Sequence, residues 1–151
     1  MILISHRGNL SGRLFHCENM PLRIENVIAM GYDVEIDLRV ENGFIYLGHD
    51  KPEYNITFGW LKRYQNHLWI HCKNYAAIQL ISKAEGFRWF CHQDDTFGIV
   101  SDGSIWYSDL LSKPHSKCII PLLTREQVDN YPDLFVLAAG GICSDYIQEF
   151  R

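Results

Sequence analysis

Met1-Ile2-Leu3-Ile4-Ser5-His6-Arg7-Gly8 opens the chain. Four apolar residues in a row read as the start of a buried strand over residues 1–6. The histidine, arginine and glycine that follow put charged chemistry at the end of that strand. A second stretch, Asp33-Val34-Glu35-Ile36-Asp37-Leu38-Arg39, alternates strictly. Val34, Ile36 and Leu38 belong to one face of a strand, Glu35 and Asp37 to the other. A strand with one apolar and one acidic face must turn the acids toward solvent or a polar cavity.

Between these stretches, residues 20–31 carry Leu22, Ile24, Val27, Ile28 and Met30 at helical spacing. Pro21 suits the first turn and Gly31 the stop. Glu41-Asn42-Gly43 is a hairpin signal, and Phe44 to Leu47 returns as a strand that leads to His49. Residues 57–66 predict a short helix, 68–72 a third strand, and 74–85 a helix closed by Gly86. A fourth strand is expected over 87–92, a loop from Asp94-Asp95, and a short extra strand from Phe97 to Val100. Further strands are expected at 104–108, 118–122 and 141–146, with a terminal turn over 146–150. Thr124 with Gln127 three residues on is a capping signal for a helix over 125–131. Strands alternating with helices predict an α/β fold with a parallel sheet. The whole of 1–151 reads as one domain.

In a parallel α/β barrel, reactive side chains gather at the C-terminal ends of the strands. His6, the Glu35/Asp37 pair, His71 with Lys73, and His92 close four successive strands on this reading. One strand-end histidine is usually a hydrogen-bonded structural residue, whereas four such strand ends in succession point to a shared site. The two carboxylates can reach one cation, and hard oxygen donors suit Mg²⁺ or Ca²⁺. Breaking a phosphodiester needs a base for the nucleophile and an acid for the leaving oxygen. His6 and His49 are the candidates, since imidazole titrates near neutral pH. Arg7 and Lys73 are candidates for holding phosphate. Trp106 could stack a substrate moiety at the mouth, with Tyr107, Trp69 and Trp89 as further aromatic candidates. Core packing is the commoner fate of a strand tryptophan.

The run His6-Arg7-Gly8, Glu18-Asn19, Glu35-Ile36-Asp37, Gly48-His49-Asp50 resembles the N-terminal half of the glycerophosphodiester phosphodiesterase family, which belongs to the phosphatidylinositol-phospholipase-C-like barrels. The ending Gly141-Ile142-Cys143-Ser144-Asp145-Tyr146 is similar to that family's closing strand. The resemblance implies His6 and His49 as the acid/base pair and Glu35 and Asp37 as metal ligands. It implies Arg7 on the phosphate, with Glu18 and Asn19 organising the site. In the family, the third strand ends in Glu-x-Lys, and its glutamate is a further metal ligand. Here the matching residues are His71-Cys72-Lys73. Imidazole suits Mn²⁺ or Zn²⁺ better than Ca²⁺, so the expected ion is Mg or Ca, with Mn or Zn opened by His71. The other reading is that His71 only hydrogen-bonds in the mouth. The resemblance implies a metal-dependent phosphodiesterase; the alternatives are a phospholipase-like lyase that releases a cyclic phosphate, or a barrel that binds phosphodiesters without cleaving them. Barrels of this kind usually need about 250 residues. At 151 residues, the expectation is a shortened or incomplete TIM-like (β/α) barrel, whose bare edge would favour a homodimer.

Composition narrows the field. With 47% apolar and 21% charged residues, the chain is neither disordered nor built for a bilayer. No apolar run approaches the ~20 residues of a membrane helix. The net charge of −4 gives no field to attract nucleic acid, which argues against a nuclease. The expected partner is therefore a small phosphodiester. No secretory signal precedes the first strand, although an already processed chain would read the same way. Cys17, Cys72, Cys91, Cys118 and Cys143 are scattered, with no C-x-x-C pair. They read as small buried residues of a reducing, cytoplasmic protein.

Overall fold

The computed structural model describes residues 1–93, 95–109 and 111–151. The first strand, β1, spans Ile2–His6, and helix α1 follows at Pro21–Ala29. Pro21 does open α1, and Gly31 ends it with φ +93°. Strand β2 runs Asp33–Glu41, β3 Phe44–Leu47 and β4 Tyr54–Ile56. Asn42 and Gly43 join β2 to β3 with φ of 51° and 81°. Both central residues of such a two-residue turn need the left-handed region, which Asn-Gly supplies. Helix α2 spans Phe58–Tyr64, β5 Leu68–Cys72 and α3 Tyr75–Ile81. Strand β6 is Arg88–Phe90, β7 Phe97–Ile99, β8 Ile105–Tyr107 and β9 Cys118–Leu122. Helices α4 (Arg125–Asn130) and α5 (Asp133–Ala138) precede β10 (Gly141–Ser144), and a 3₁₀ turn at Ile147–Phe150 ends the chain.

All ten strands join one curled sheet that forms a half-barrel. Six parallel pairings link β6-β5-β2-β1-β10-β9-β8 in that spatial order. Strands β3, β4 and β7 add to it antiparallel. The expected helix-alternating TIM-like barrel is therefore incorrect. The protein is mixed α/β and strand-dominated, with only 28% of residues helical. Alternation fails between β6 and β9: among the described residues of 91–117 there is no helix. That stretch spends its length on the β7–β8 pair and its loops, leaving no room for two packed helices.

The sheet has two apolar faces. On the convex face Val34, Ile36 and Leu38 pack with Leu68, Ile70, Ile120, Leu122 and Ile142, and α1, α2 and α3 cover them with Ile24, Val27, Leu61, Ala77 and Ile81. On the concave face Ile4, Trp69, Phe90, Val100, Trp106, Ile119 and Cys143 form a second cluster. These residues come from strands at both ends of the spatial order, so they touch only because the sheet curls. The Phe90 and Trp106 rings stack with centroids 4.5 Å apart. Beside them Ser101 pins the curl: its N–H donates to Trp89 O (2.9 Å), its Oγ accepts from Trp89 N–H (3.0 Å), and its Oγ donates to Phe87 O (3.0 Å).

Several expectations change with this fold. Strand β2 outruns its neighbours, so Glu35 and Asp37 lie within it rather than at its end. They still stand level with the ends of β1 and β5, through the registers His6↔Glu35 and Asp37↔His71. Strand β6 stops at Phe90, so His92 lies beyond it. The loop start expected at Asp94 falls outside the described residues. Trp106, a candidate substrate contact, is buried in the concave cluster with Trp69. Trp89 and Tyr107 face the convex side. Cys72, Cys118 and Cys143 are buried, Cys17 is half-buried and Cys91 exposed, and all five are free. No helix among the described residues is long and apolar enough to cross a membrane.

Candidate active site

Above the concave cluster, at the level where β1 and β5 end, the apolar lining gives way to ionisable side chains. His6, Arg7, Glu18, Asn19, Glu35, Asp37, His71 and Asp145 are all buried there. Burying this many charges is costly unless each is paired. The pairing is extensive.

His6 Nδ1 lies 2.8 Å from Asp145 Oδ1, and its Nε2 lies 3.8 Å from Glu35 Oε2. A carboxylate on Nδ1 fixes the proton there and turns the Nε2 lone pair toward Glu35. Asn9 Nδ2 donates to the same Asp145 oxygen (2.8 Å) and to Glu18 Oε1 (3.1 Å). Arg7 adopts φ +55° and Asn19 φ +59°, a rare backbone region for residues other than glycine. The Arg7 N–H donates to Glu35 O, and the Asn19 N–H donates to Arg7 O, both at 3.0 Å. These bonds hold the unusual conformations in place.

The Arg7 side chain is committed to acids. Its Nη1 donates to Glu18 Oε2 (3.2 Å), and its Nε lies 2.9 Å from Asp37 Oδ2. Although burial opposes its charge, the Asp37, Glu35 and Glu18 carboxylates keep Arg7 above its ordinary pKa. In the structure its guanidinium balances carboxylates. Glu18 also accepts from Arg13 Nε (2.7 Å). Burial pushes the Glu18 carboxyl up, but Arg13, Arg7 and Asn9 together hold it below its ordinary value.

Asp37 uses its two oxygens differently. Oδ2 takes Asn19 Nδ2 (2.9 Å) and faces Arg7. Oδ1 has no hydrogen-bond partner among the described residues, and neither has Glu35 Oε2. His71 Nδ1 lies 3.5 Å from Asp37 Oδ1 and 3.8 Å from Glu35 Oε1. Lys73 Nζ is 3.9 Å from Asp37 Oδ1. Burial and the neighbouring Asp37 carboxylate push Glu35 well above the usual carboxylate range. Burial also opposes the Asp37 charge, yet His71, Arg7 and Asn19 hold it well below that range.

Glu35, Asp37 and His71 each offer a ligand atom within 4.8 Å of the others. Asp37 Oδ1 and Glu35 Oε2, buried and without partners near an imidazole nitrogen, are a donor set that could hold a divalent cation. These residues fit a metal ion.

His49 stands apart from this cluster. It follows β3 on a loop anchored by Arg39 Nε to Gly48 O (3.0 Å), and its Nδ1 pairs with the exposed Asp50 (2.7 Å). It shares a cavity of about 180 Å³ with Arg7, Glu18 and Asn19. Lys73 and His71 open onto a second cavity of about 560 Å³ with His92. His6 and His49 therefore lie at the same end of the sheet as the acids, but of these two only His6 approaches Glu35 and Asp145.

No protein-family model, curated protein or solved structure matches this chain. Asn9, Arg13 and Asp145 are the site residues that sequence reasoning missed. Asp145 was visible only as part of the closing run. Its approach to His6 follows from the register Ser5↔Ser144, which no local pattern encodes.

Proposed function

We propose that this chain is a metal-dependent phosphodiesterase acting on glycerophosphodiester-type bonds, with its chemistry at the concave mouth of the sheet. The observation that carries the reading is His6, clamped by Asp145 on one nitrogen and aimed by the other at Glu35, next to two carboxylate oxygens without partners.

Cleaving a phosphodiester requires proton removal from the attacking hydroxyl, proton delivery to the leaving oxygen, and stabilisation of charge on the phosphoryl oxygens. His6 takes or gives a proton at Nε2, while Asp145 stabilises the imidazolium that forms. His49, on its exposed loop, is the second acid/base group. Lys73 and Arg7 add positive potential around the mouth, Arg7 through the carboxylates it already balances. Glu35 and Asp37 would hold the divalent cation, which when bound supplies Lewis-acid stabilisation of phosphoryl charge. Asn19 keeps Asp37 in register by donating to its carboxylate and accepting from its N–H at 2.9 Å.

The test is alcohol release from a panel of glycerophosphodiesters with and without divalent ions, followed by phosphorus NMR of the product. A monoester marks hydrolysis and a cyclic phosphate marks lyase chemistry. His6→Ala and His49→Ala should each lower turnover by about 10²–10⁴-fold, the usual contribution of a positioned acid or base; the thermal midpoint should hold in His49→Ala and fall in His6→Ala, which leaves the buried Asp145 without its imidazole. Full activity in His6→Ala, or activity that survives a chelator, sinks the proposal.

A further inference from the structure

Resting on that reading, we infer that His71 is a direct metal ligand and that it turns the site toward first-row transition ions such as Mn²⁺ or Zn²⁺, away from Mg²⁺ and Ca²⁺.

The first argument is the orientation of the ring. His71 Nε2 approaches the backbone carbonyl of His92 at 3.4 Å. The other ring nitrogen, Nδ1, faces Asp37 Oδ1 at 3.5 Å and Glu35 Oε1 at 3.8 Å. A cation among these three atoms would take the Nδ1 lone pair and leave the Nε2 proton to the carbonyl, which can only accept. A backbone carbonyl on the far nitrogen is also the usual support of a metal-bound imidazole.

The second argument is rigidity. The His71 ring packs against Phe90 and His92, with its centroid 4.9 Å from each, theirs 5.8 Å apart, and interplanar angles of 9° and 3°. With these two rings beside it, His71 keeps only 8% of its surface exposed. Its nitrogen is pre-placed, as a first ligand should be.

The third argument is charge. Hard ions are bound chiefly by the negative charge of their oxygen ligands. Here Asp37 shares its charge with Arg7 at 2.9 Å and Lys73 at 3.9 Å, and the third donor is a neutral ring. The electrostatic pull on Mg²⁺ or Ca²⁺ is correspondingly weak. A nitrogen donor favours ions higher in the Irving–Williams order.

The experiment compares the full-length chain with His71→Glu by calorimetric titration with Mn²⁺, Zn²⁺, Mg²⁺ and Ca²⁺. Electron spin-echo spectroscopy of the Mn²⁺ form adds a readout independent of turnover. The wild type should bind Mn²⁺ and Zn²⁺ more tightly than Mg²⁺ and Ca²⁺ and show modulation from a directly bound imidazole nitrogen. His71→Glu should lose that modulation and gain affinity for Mg²⁺ and Ca²⁺. His71→Gln, which keeps a polar side chain for folding, should weaken Mn²⁺ by more than the roughly 10–100-fold that loss of an outer partner costs. Nitrogen modulation that persists in His71→Glu overturns the inference, and so does a wild type that takes Ca²⁺ as tightly as Mn²⁺. If Mn²⁺ binding depends on Glu35 but ignores His71, this inference fails while the proposed function stands. If no ion binds the wild type, both fail.

Discussion

Glu18 shows how one side chain can tie a buried cluster together. It gathers Arg7, Asn9 and Arg13, and Arg7 in turn leans on Asp37. Its carboxyl titrates below its ordinary value of 4.5 in the folded protein. A depressed folded pKa means that its contribution to stability is complete above the unfolded value and is lost as pH falls through the folded one. Urea midpoints should therefore drop as pH is lowered from about 5 toward 3. Glu18→Gln should be less stable at neutral pH and show a shallower acid dependence; an equal slope in the two proteins would contradict this role. The cluster was legible in part. Glu35 with Asp37, and His71 with Lys73, were readable because β-strand alternation puts each pair on one face, and His6 and Arg7 because they close the apolar run of the first strand. Asn9 and Arg13 belong to a loop, where no periodicity tells which side chain turns inward. Asp145 is 139 residues from His6 along the chain, and only sheet register brings them together.

Among the elements, those defined by local chemistry were read correctly. Helix α1 has its proline and glycine punctuation, and the β2–β3 turn has Asn-Gly. Helix α4 carries the expected capping box, with Thr124 Oγ1 accepting from Gln127 N–H (3.1 Å) and the Gln127 side chain returning to Thr124 N–H (3.0 Å). The glutamine also accepts from Leu123 N–H at 2.8 Å, which ties the helix start to the end of β9. Thr124→Ala should cost about 1 kcal/mol in chemical denaturation, and no change at all would mean that the box is idle. Elements defined by distant contacts were not legible. Strand β4 has three residues, too few to show alternation, and forms because β3 offers it an edge. Helix α5 is an apolar run, Leu134-Phe135-Val136-Leu137-Ala138, without the polar positions that reveal helical period.

At the scale of the whole molecule, the missing helices decide the character of the fold. Where a helix-alternating barrel would cover its strands, β7 stands bare, with Phe97 60% and Ile99 63% exposed. It also ends the sheet. A short apolar edge strand is a template for non-native pairing. Ile99→Lys should reduce light scattering during thermal unfolding while leaving the melting midpoint within experimental error; undiminished scattering would move the blame elsewhere. The expectation of a barrel failed for the same physical reason. Residues 97–100 and 104–108 read as strands in the sequence, but alternation does not show how little room the segments between them leave for helices on the outside. The stitch made by Ser101 then takes on weight. One hydroxyl and one amide hold the two margins of the wall together where a full ladder would otherwise run. Native-state fluctuations should open first along that seam, letting water to the stacked rings of Phe90 and Trp106 just inside it before the rest of the interior.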